Sequence, residues 1–184
     1  RLLEALARGM EPTEALLRFD AFLGQLPSGV QLFALFAANP ALLDLVAEIM
    51  GQAPRLAETL ARHPWLLDAV LDRDFFASLP GVGELAAELK SRLTQADDMQ
   101  DVLDLARRFN NDALFRIGVQ MLRGQADATS CGIATSAVVD ALIGELVPRV
   151  GEELAKAHGR VPGGRFAVLA LGKYGGRELT AASD

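Results

Sequence analysis

The sequence has little of the residue types that build disulfides and zinc sites. Cys131 is the only cysteine among 184 residues, so an intrachain disulfide is excluded. The two histidines, His63 and His158, lie far apart in the sequence, which argues against a zinc site. The sequence shows no basic side chain paired with Cys131 that would activate its thiol. We therefore interpret this cysteine as a structural residue rather than a reactive thiol.

Long apolar runs and basic clusters are also missing. No uninterrupted apolar run approaches the roughly 20 residues that a membrane-spanning helix needs, and no basic and apolar leader pattern opens the chain. The formal net charge is −6, and lysine and arginine form no cluster of the kind that contacts nucleic-acid phosphates. We therefore expect a soluble, cytoplasmic protein whose partners are neither nucleic acids nor membranes.

Helical periodicity dominates the sequence from residue 1 to about residue 158. Apolar residues recur at the spacing of one helix face, as in the set Leu42, Leu45, Val46 and Ile49. Prolines suited to a first helical turn follow the breaks between such stripes, at Pro40, Pro54, Pro64 and Pro80. The pattern predicts a mainly α-helical bundle over residues 1–158, with two long helices at 99–123 and 136–158. An internal boundary, if there is one, is expected near residues 95–99.

The character of the sequence changes after His158. A loop rich in glycine and proline covers residues 159–165, and the six apolar residues FAVLAL at 166–171 predict a buried strand. A glycine-rich turn follows the strand, at the position where α/β sheets commonly bind phosphorylated ligands. Neither the Walker loop spacing nor G-x-G-x-x-G is met, so the Gly175-Gly176 pair indicates either a phosphate-binding turn or an ordinary tight turn.

The last segment carries a specific family resemblance. FAVLALGKYGGRELTAASD resembles the start of a catalytic domain in the glutamine synthetase adenylyltransferase family, and DLARRFNNDALFRIGVQMLRG is similar to a helix that precedes such a domain there. QLFALFAANPALLDLVAEIMGQAPRLAETLARHPWLLDAVLD is similar to the helical segment between the family's two catalytic halves. The chain begins with Arg1 and stops inside the motif, and we expect it to be a piece of a longer protein.

The resemblance implies a fold and an activity for that longer protein. Residues 159–184 would begin a nucleotidyltransferase α/β domain of the DNA polymerase β type, with its first strand and glycine-rich turn. One half of the enzyme would attach AMP from ATP to a tyrosine of glutamine synthetase, and the other would remove it by phosphorolysis. A PII-type signal protein and glutamine would control both reactions. The TAASD ending favours the second half, which attaches AMP.

The resemblance also assigns site residues. Asp184 would be a catalytic carboxylate and a ligand to Mg²⁺, which is an oxygen-seeking ion. Residues near the ATP phosphates would be Gly172, Lys173, Gly175, Gly176 and Ser183. A solvated side chain is the alternative for Lys173, and a turn cap is the alternative for Ser183. A second carboxylate would follow two positions after Asp184, so the 184 residues alone are expected to be inactive.

A second function class stays open beside the enzyme. The helical region would then serve mainly as a connector or protein-interaction module that spaces catalytic domains, without catalytic activity of its own. The two classes differ in ATP binding, since a connector needs none.

Overall fold

The computed structural model describes residues 2–7, 11–26, 29–160, 162–180 and 183. Helices account for most of these residues, which confirms the predicted mainly α-helical class. The chain divides into two compact units, one made of residues 1–77 and 118–125 and the other of residues 78–117 and 126–184.

The first unit is built around one apolar helix. Its elements in chain order are α1 (Leu2–Leu6), α2 (Pro12–Gly24), α3 (Gly29–Ala38), α4 (Pro40–Gln52), α5 (Pro54–Arg62), α6 (Leu66–Val70) and a 3₁₀ helix (Arg73–Phe76). Helix α4 contacts α1, α2, α3 and α5. All four residues of its predicted stripe are buried: Leu42, Leu45, Val46 and Ile49. Pro40 and Pro54 stand at the start of their helices, as predicted, because their fixed φ suits a first helical turn.

Gln120 is a buried polar residue that joins the first unit's last elements. It lies near the end of helix α8 (Met99–Leu122), whose residues from Gly118 onward belong to this unit. The side-chain amide of Gln120 donates hydrogen bonds to the carbonyl oxygens of Phe75 and Ala77, both at 2.9 Å. These bonds satisfy acceptors at the end of the 3₁₀ helix, where the chain leaves regular structure.

The second unit packs α7 (Val82–Leu93) against the long helix α9 (Ala128–His158), with α8 up to Ile117 beside them. Leucines spaced four apart on α7 are buried, namely Leu85, Leu89 and Leu93. They meet Phe109 of α8 and Val138 of α9 in one core. Helix α8 begins at Met99, as predicted from the sequence.

Helix α9 starts eight residues earlier than the predicted Ser136. The carboxylate of Asp127 accepts a hydrogen bond from the Ser130 amide at 2.7 Å, which caps the helix at its true start. The first two turns are rich in small residues and show no apolar stripe, so periodicity misses them. Burial raises the pKa of the Cys131 thiol in this part of α9, in keeping with a structural role.

Helix α9 is long and apolar enough to cross a membrane by length and composition, and so is the bent pair Gln31–Ala38 and Pro40–Gln52 taken together. This is weak evidence, because core helices pass the same test. The amino-terminal half of α9 is largely buried in the second unit's core, and 44% of its most apolar window is buried.

The predicted strand at residues 166–171 is wrong for this structure. These residues form no regular secondary structure, and no strand occurs among the residues described. A strand requires backbone hydrogen bonds to a neighbouring strand, and the described part of the chain offers none. The apolar side chains consequently lie in solvent, with Phe166, Leu169 and Leu171 between 80% and 84% exposed.

The predicted glycine-rich turn is not an isolated tight turn, because residues Gly172–Gly175 form a one-turn helix, α10. The amide of Gly175 donates to Leu171 O at 3.2 Å, and the amide of Gly176 donates to Gly172 O at 3.0 Å. Both bonds have helical i to i−4 spacing, which is why the segment closes as a helical turn.

Candidate functional site

The predicted site residues lie in and just after α10. Gly172, Lys173 and Gly175 belong to the helix, and Gly176 follows it directly. Ser183 lies seven residues further on. Asp184, the predicted metal ligand and catalytic carboxylate, lies outside the described residues.

The three glycines differ in whether their backbone angles and surroundings would admit a side chain. Gly172 has φ +57°, a left-handed conformation that residues with a side chain rarely adopt. A Cβ on Gly175 would lie 2.7 Å from the carbonyl oxygen of Ala170, which is closer than real contacts allow. A Cβ on Gly176 would meet only ordinary contacts, the nearest at 3.5 Å, and its φ is −79°. The turn thus requires glycine at 172 and 175, for different reasons, and tolerates a side chain at 176.

The end of α10 is closed by a Schellman motif with an unusual residue. The Glu178 amide donates to Lys173 O at 2.7 Å, and the Arg177 amide donates to Tyr174 O at 3.1 Å. Such a motif places a left-handed residue just after the helix, usually glycine. Here that position is held by Arg177, with φ +60°. A non-glycine residue in this conformation costs about 1 kcal/mol, so other contacts must compensate for it.

Asp140 of α9 supplies those contacts. The phenol of Tyr174 donates a hydrogen bond to Asp140 Oδ1 at 2.6 Å, and the guanidinium of Arg177 pairs with Asp140 Oδ2 at 2.5 Å. Burial, together with the hydrogen bond and the negative charge of Asp140, raises the pKa of Tyr174 to about 12. One carboxylate on the long helix therefore holds two side chains of the segment that carries the predicted site.

A second contact joins the same segment to α9 two turns earlier. Gly132 is buried, and a Cβ there would lie 2.9 Å from Arg177 O and 3.3 Å from Glu178 Cα. Gly132 and Asp140 are eight residues apart, which places them on one face of the helix. Ser136, midway between them, is fully buried, and its hydroxyl donates to Gly132 O at 2.8 Å.

The remaining predicted residues make simpler contacts. Lys173 is exposed. The Ser183 hydroxyl accepts a hydrogen bond from the Thr180 amide at 3.0 Å, while the Ser183 amide donates to Thr180 O at 2.9 Å. This geometry is that of a local turn, which is the alternative that the sequence left open for Ser183.

The described residues do not by themselves fit a bound metal ion. No group of three or more metal-binding side chains comes together among them. A site for Mg²⁺ needs several oxygen ligands, so Asp184 would need carboxylates from beyond the described residues.

Asp140 is the residue of this site that sequence reasoning missed. It lies 34 residues before Tyr174, within a helix, and has the spacing of an ordinary surface carboxylate. The only sequence signal is the set of small or polar residues at 132, 136 and 140, which interrupts the apolar face of α9 at intervals of one turn.

The similarity to known proteins extends over the whole chain. The family model described as glutamate-ammonia ligase adenylyltransferase matches residues 43–184. A protein of Brucella melitensis named bifunctional glutamine synthetase adenylyltransferase/adenylyl-removing enzyme is 42% identical over 183 residues, which cover 100% of this chain and 19% of that protein. Proteins of the same name from Xanthobacter autotrophicus and Bartonella quintana are 45% and 41% identical over 183 residues, covering 100% of this chain and 18% and 19% of their own lengths.

No solved structure matches the chain. The chain spans about a fifth of the length of the curated relatives that it matches. Because the family model covers well over half of the residues, including the whole of the candidate site, the chain belongs to the glutamate-ammonia ligase adenylyltransferase family.

Proposed function

We propose that this chain is a segment of an enzyme that transfers AMP from ATP to a tyrosine of glutamine synthetase and, in its other half, removes that AMP by phosphorolysis. The observation that carries the proposal is the identity of 40–45% along the full chain to relatives named for these two activities. In the transfer, the tyrosine oxygen would attack the α-phosphorus of ATP and pyrophosphate would leave.

The turn around α10 is the part of this chain that we assign to the nucleotide. Its glycines support this role through backbone shape, since Gly172 takes a left-handed conformation and Gly175 lets two backbone segments approach closely. The amides of Gly175 and Gly176 donate inside the turn, so they are not the donors to phosphate. Lys173 is exposed and would add positive charge near the phosphates. Ser183 would either contact a phosphate oxygen or cap the local turn.

Asp184 completes the proposal as one carboxylate ligand for Mg²⁺. The other ligands would come from the longer protein, and the carboxylate that the family resemblance implies two positions further on is the first candidate. We also place this chain before and within the second, AMP-attaching half, with the catalytic domain beginning near residue 159. A PII-type signal protein is the proposed regulator, in the cytoplasm.

A helical connector is the second candidate function. It is favoured by one observation, namely that the described residues up to His158 are almost all helical, while every predicted site residue follows them. In this role, residues 1–158 would space the catalytic domains and contact protein partners. The connector and the enzyme are compatible, because the same helices can precede a catalytic domain.

Measurements on the chain test where the site is placed, and measurements on the longer protein separate the two functions. Calorimetry with ATP and Mg²⁺ should detect no binding or only weak binding by the 184 residues, whereas the longer protein should bind ATP and transfer AMP to glutamine synthetase. Micromolar, Mg²⁺-dependent binding by the 184 residues would mean that the site is placed wrongly. Absence of AMP transfer by the longer protein would reject the enzyme and leave the connector.

A further inference from the structure

The segment that carries the proposed nucleotide site is attached to α9 at two places. Asp140 binds the side chains of Tyr174 and Arg177, and Gly132 lets the backbone of residues 177–179 lie directly on the helix. Asp140 and Gly132 lie on the same face of α9, eight residues apart. The Asp140 carboxylate is only 26% exposed, so the contacts lie at the edge of the packed unit rather than in open solvent.

We propose that Asp140 is a positioning residue for AMP transfer, which it serves by fixing α10 and the residues after it onto helix α9. The proposal rests on the proposed function, because it assumes that this segment meets the nucleotide. Asp140 touches no substrate in this scheme. It acts through Tyr174 and Arg177, and the long helix becomes the rigid support of the site.

A lone surface ion pair would not carry this inference. Pairs between exposed side chains contribute little to stability, and the Arg177 side chain is 49% exposed. The difference here is that one carboxylate uses both of its oxygens, on two side chains three residues apart in the same turn. A hydrogen bond from the partly buried phenol at 2.6 Å adds a directional contact that an ion pair lacks.

The backbone of Arg177 is the strongest sign that the contact matters. Glycine is the residue that a Schellman motif prefers at this position, yet the chain places arginine there at φ +60°. The conformational cost is offset where the side chain makes a contact that glycine could not make. Arg177 makes such a contact with Asp140. Glycine would give a turn without strain, but it would not hold the turn on α9.

Two variants test the proposal from opposite directions. Asp140→Ala removes the acceptor for both side chains and leaves the turn's own backbone unchanged. Arg177→Gly relieves the left-handed strain and removes only the ion pair. If anchoring is what matters, Asp140→Ala loses both contacts, and Arg177→Gly loses one of them although its turn is more relaxed. Gly151→Ala is the matched control, because it lies in the same helix and a Cβ there meets nothing within 4 Å.

The anchoring itself is read out by hydrogen exchange of the 184-residue chain at neutral pH. Asp140→Ala should speed the exchange of the Gly175, Gly176 and Arg177 amides by about tenfold or more, because their turn is no longer held on α9. The Val138 amide in the core of α9 should keep its protection, which shows that the fold survives. Wild-type exchange of the turn amides in Asp140→Ala would overturn the proposal.

A second measurement follows the ionisation of Tyr174, which is the only tyrosine in the sequence. At about pH 11, a phenol of pKa about 12 is roughly one-tenth ionised, whereas an ordinary phenol of pKa about 10 is roughly nine-tenths ionised. Asp140→Ala should therefore raise the phenolate absorbance, since it removes the hydrogen bond and the negative charge that raise the pKa of Tyr174. Asp140 and Arg177 are the charged groups that act on this phenol. Circular dichroism at the same pH checks that the helices persist.

AMP transfer by the longer enzyme tests whether the contacts of Asp140 serve the reaction. AMP transfer should fall by about ten- to a hundredfold in Asp140→Ala, with a smaller loss in Arg177→Gly, while Gly151→Ala and the removal of AMP stay near wild type. Faster exchange with unchanged transfer would overturn the positioning role. A wild-type enzyme that transfers no AMP would reject the proposed function instead, and the exchange result would still decide whether Asp140 holds the turn.

Discussion

Replacing Gly175 with alanine tests whether the shape of the α10 turn serves the proposed reaction. The new Cβ would lie 2.7 Å from Ala170 O and 3.2 Å from Ala170 C. Carbon–oxygen contacts in proteins settle at about 3.3 Å or more, so the two backbone segments must separate by about 0.6 Å. Both are main chain, and neither can yield by rotating a side chain.

The expected size of the effect follows from this displacement. Overpacking of this kind costs about 1–3 kcal/mol, here paid locally by the one-turn helix. A misplacement of about 1 Å at an active site can lower a rate by about a hundredfold, so a shift of about half that size should lower AMP transfer by about tenfold. Gly176→Ala is the matched control, because its φ of −79° and nearest contact at 3.5 Å admit a Cβ.

The assay is AMP transfer to glutamine synthetase by the longer enzyme, with the removal of AMP by its other half as an internal reference. We expect Gly175→Ala to lose transfer and keep removal, and Gly176→Ala to keep both. Equal losses in the two variants would refute the reasoning, because they would mean that contact of both glycines with a ligand, rather than the close approach at Gly175, governs the rate.

Three further predictions concern single side chains. Asp184→Asn in the longer enzyme should abolish AMP transfer and spare AMP removal, because the metal-binding charge is lost at constant size. Near-normal transfer would mean that Asp184 only caps the turn, and loss of removal instead would place the chain in the other half. Lys173→Ala should lower transfer only about tenfold, if it contributes charge alone, as steady-state kinetics would show. Gln120→Glu should lower the free energy of unfolding by several kcal/mol, and more than Gln120→Leu, because a buried carboxylate would face the carbonyl oxygens of Phe75 and Ala77; denaturation with urea measures both, and equal losses would contradict the hydrogen-bond argument.

The helices were predictable where local chemistry marks them. Pro40 and Pro54 fix helix starts through their backbone angles, and the apolar stripe on α4 forecasts the residues that are buried. Helix α9 shows the limit of periodicity, because its first two turns carry small residues and only the cap at Asp127 marks the start. The prediction of a strand at 166–171 was wrong for a different reason, since strands depend on partner strands that a local pattern does not reveal.

The candidate site was predictable only in part. The glycine-rich pattern located the turn, but sequence alone ranked Gly172, Gly175 and Gly176 alike, and only the backbone geometry separates them. The Asp140 contact joins residues 34 apart in the chain, and no spacing rule connects them. The roles of Gly172, Gly175, Gly176, Lys173, Ser183 and Asp184 in binding stay predictions.

The exposed segment at residues 166–171 has a practical consequence for handling the chain. FAVLAL combines high β-propensity with no charge and no proline, the composition of segments that stack into intermolecular sheets. The segment is in no helix and has no strand partner among the described residues, so its backbone groups are open to pairing with a second copy edge to edge. The 184-residue chain should therefore self-associate in a concentration-dependent way. Val168→Lys, on a half-exposed position, should suppress this association by placing a charge inside the segment.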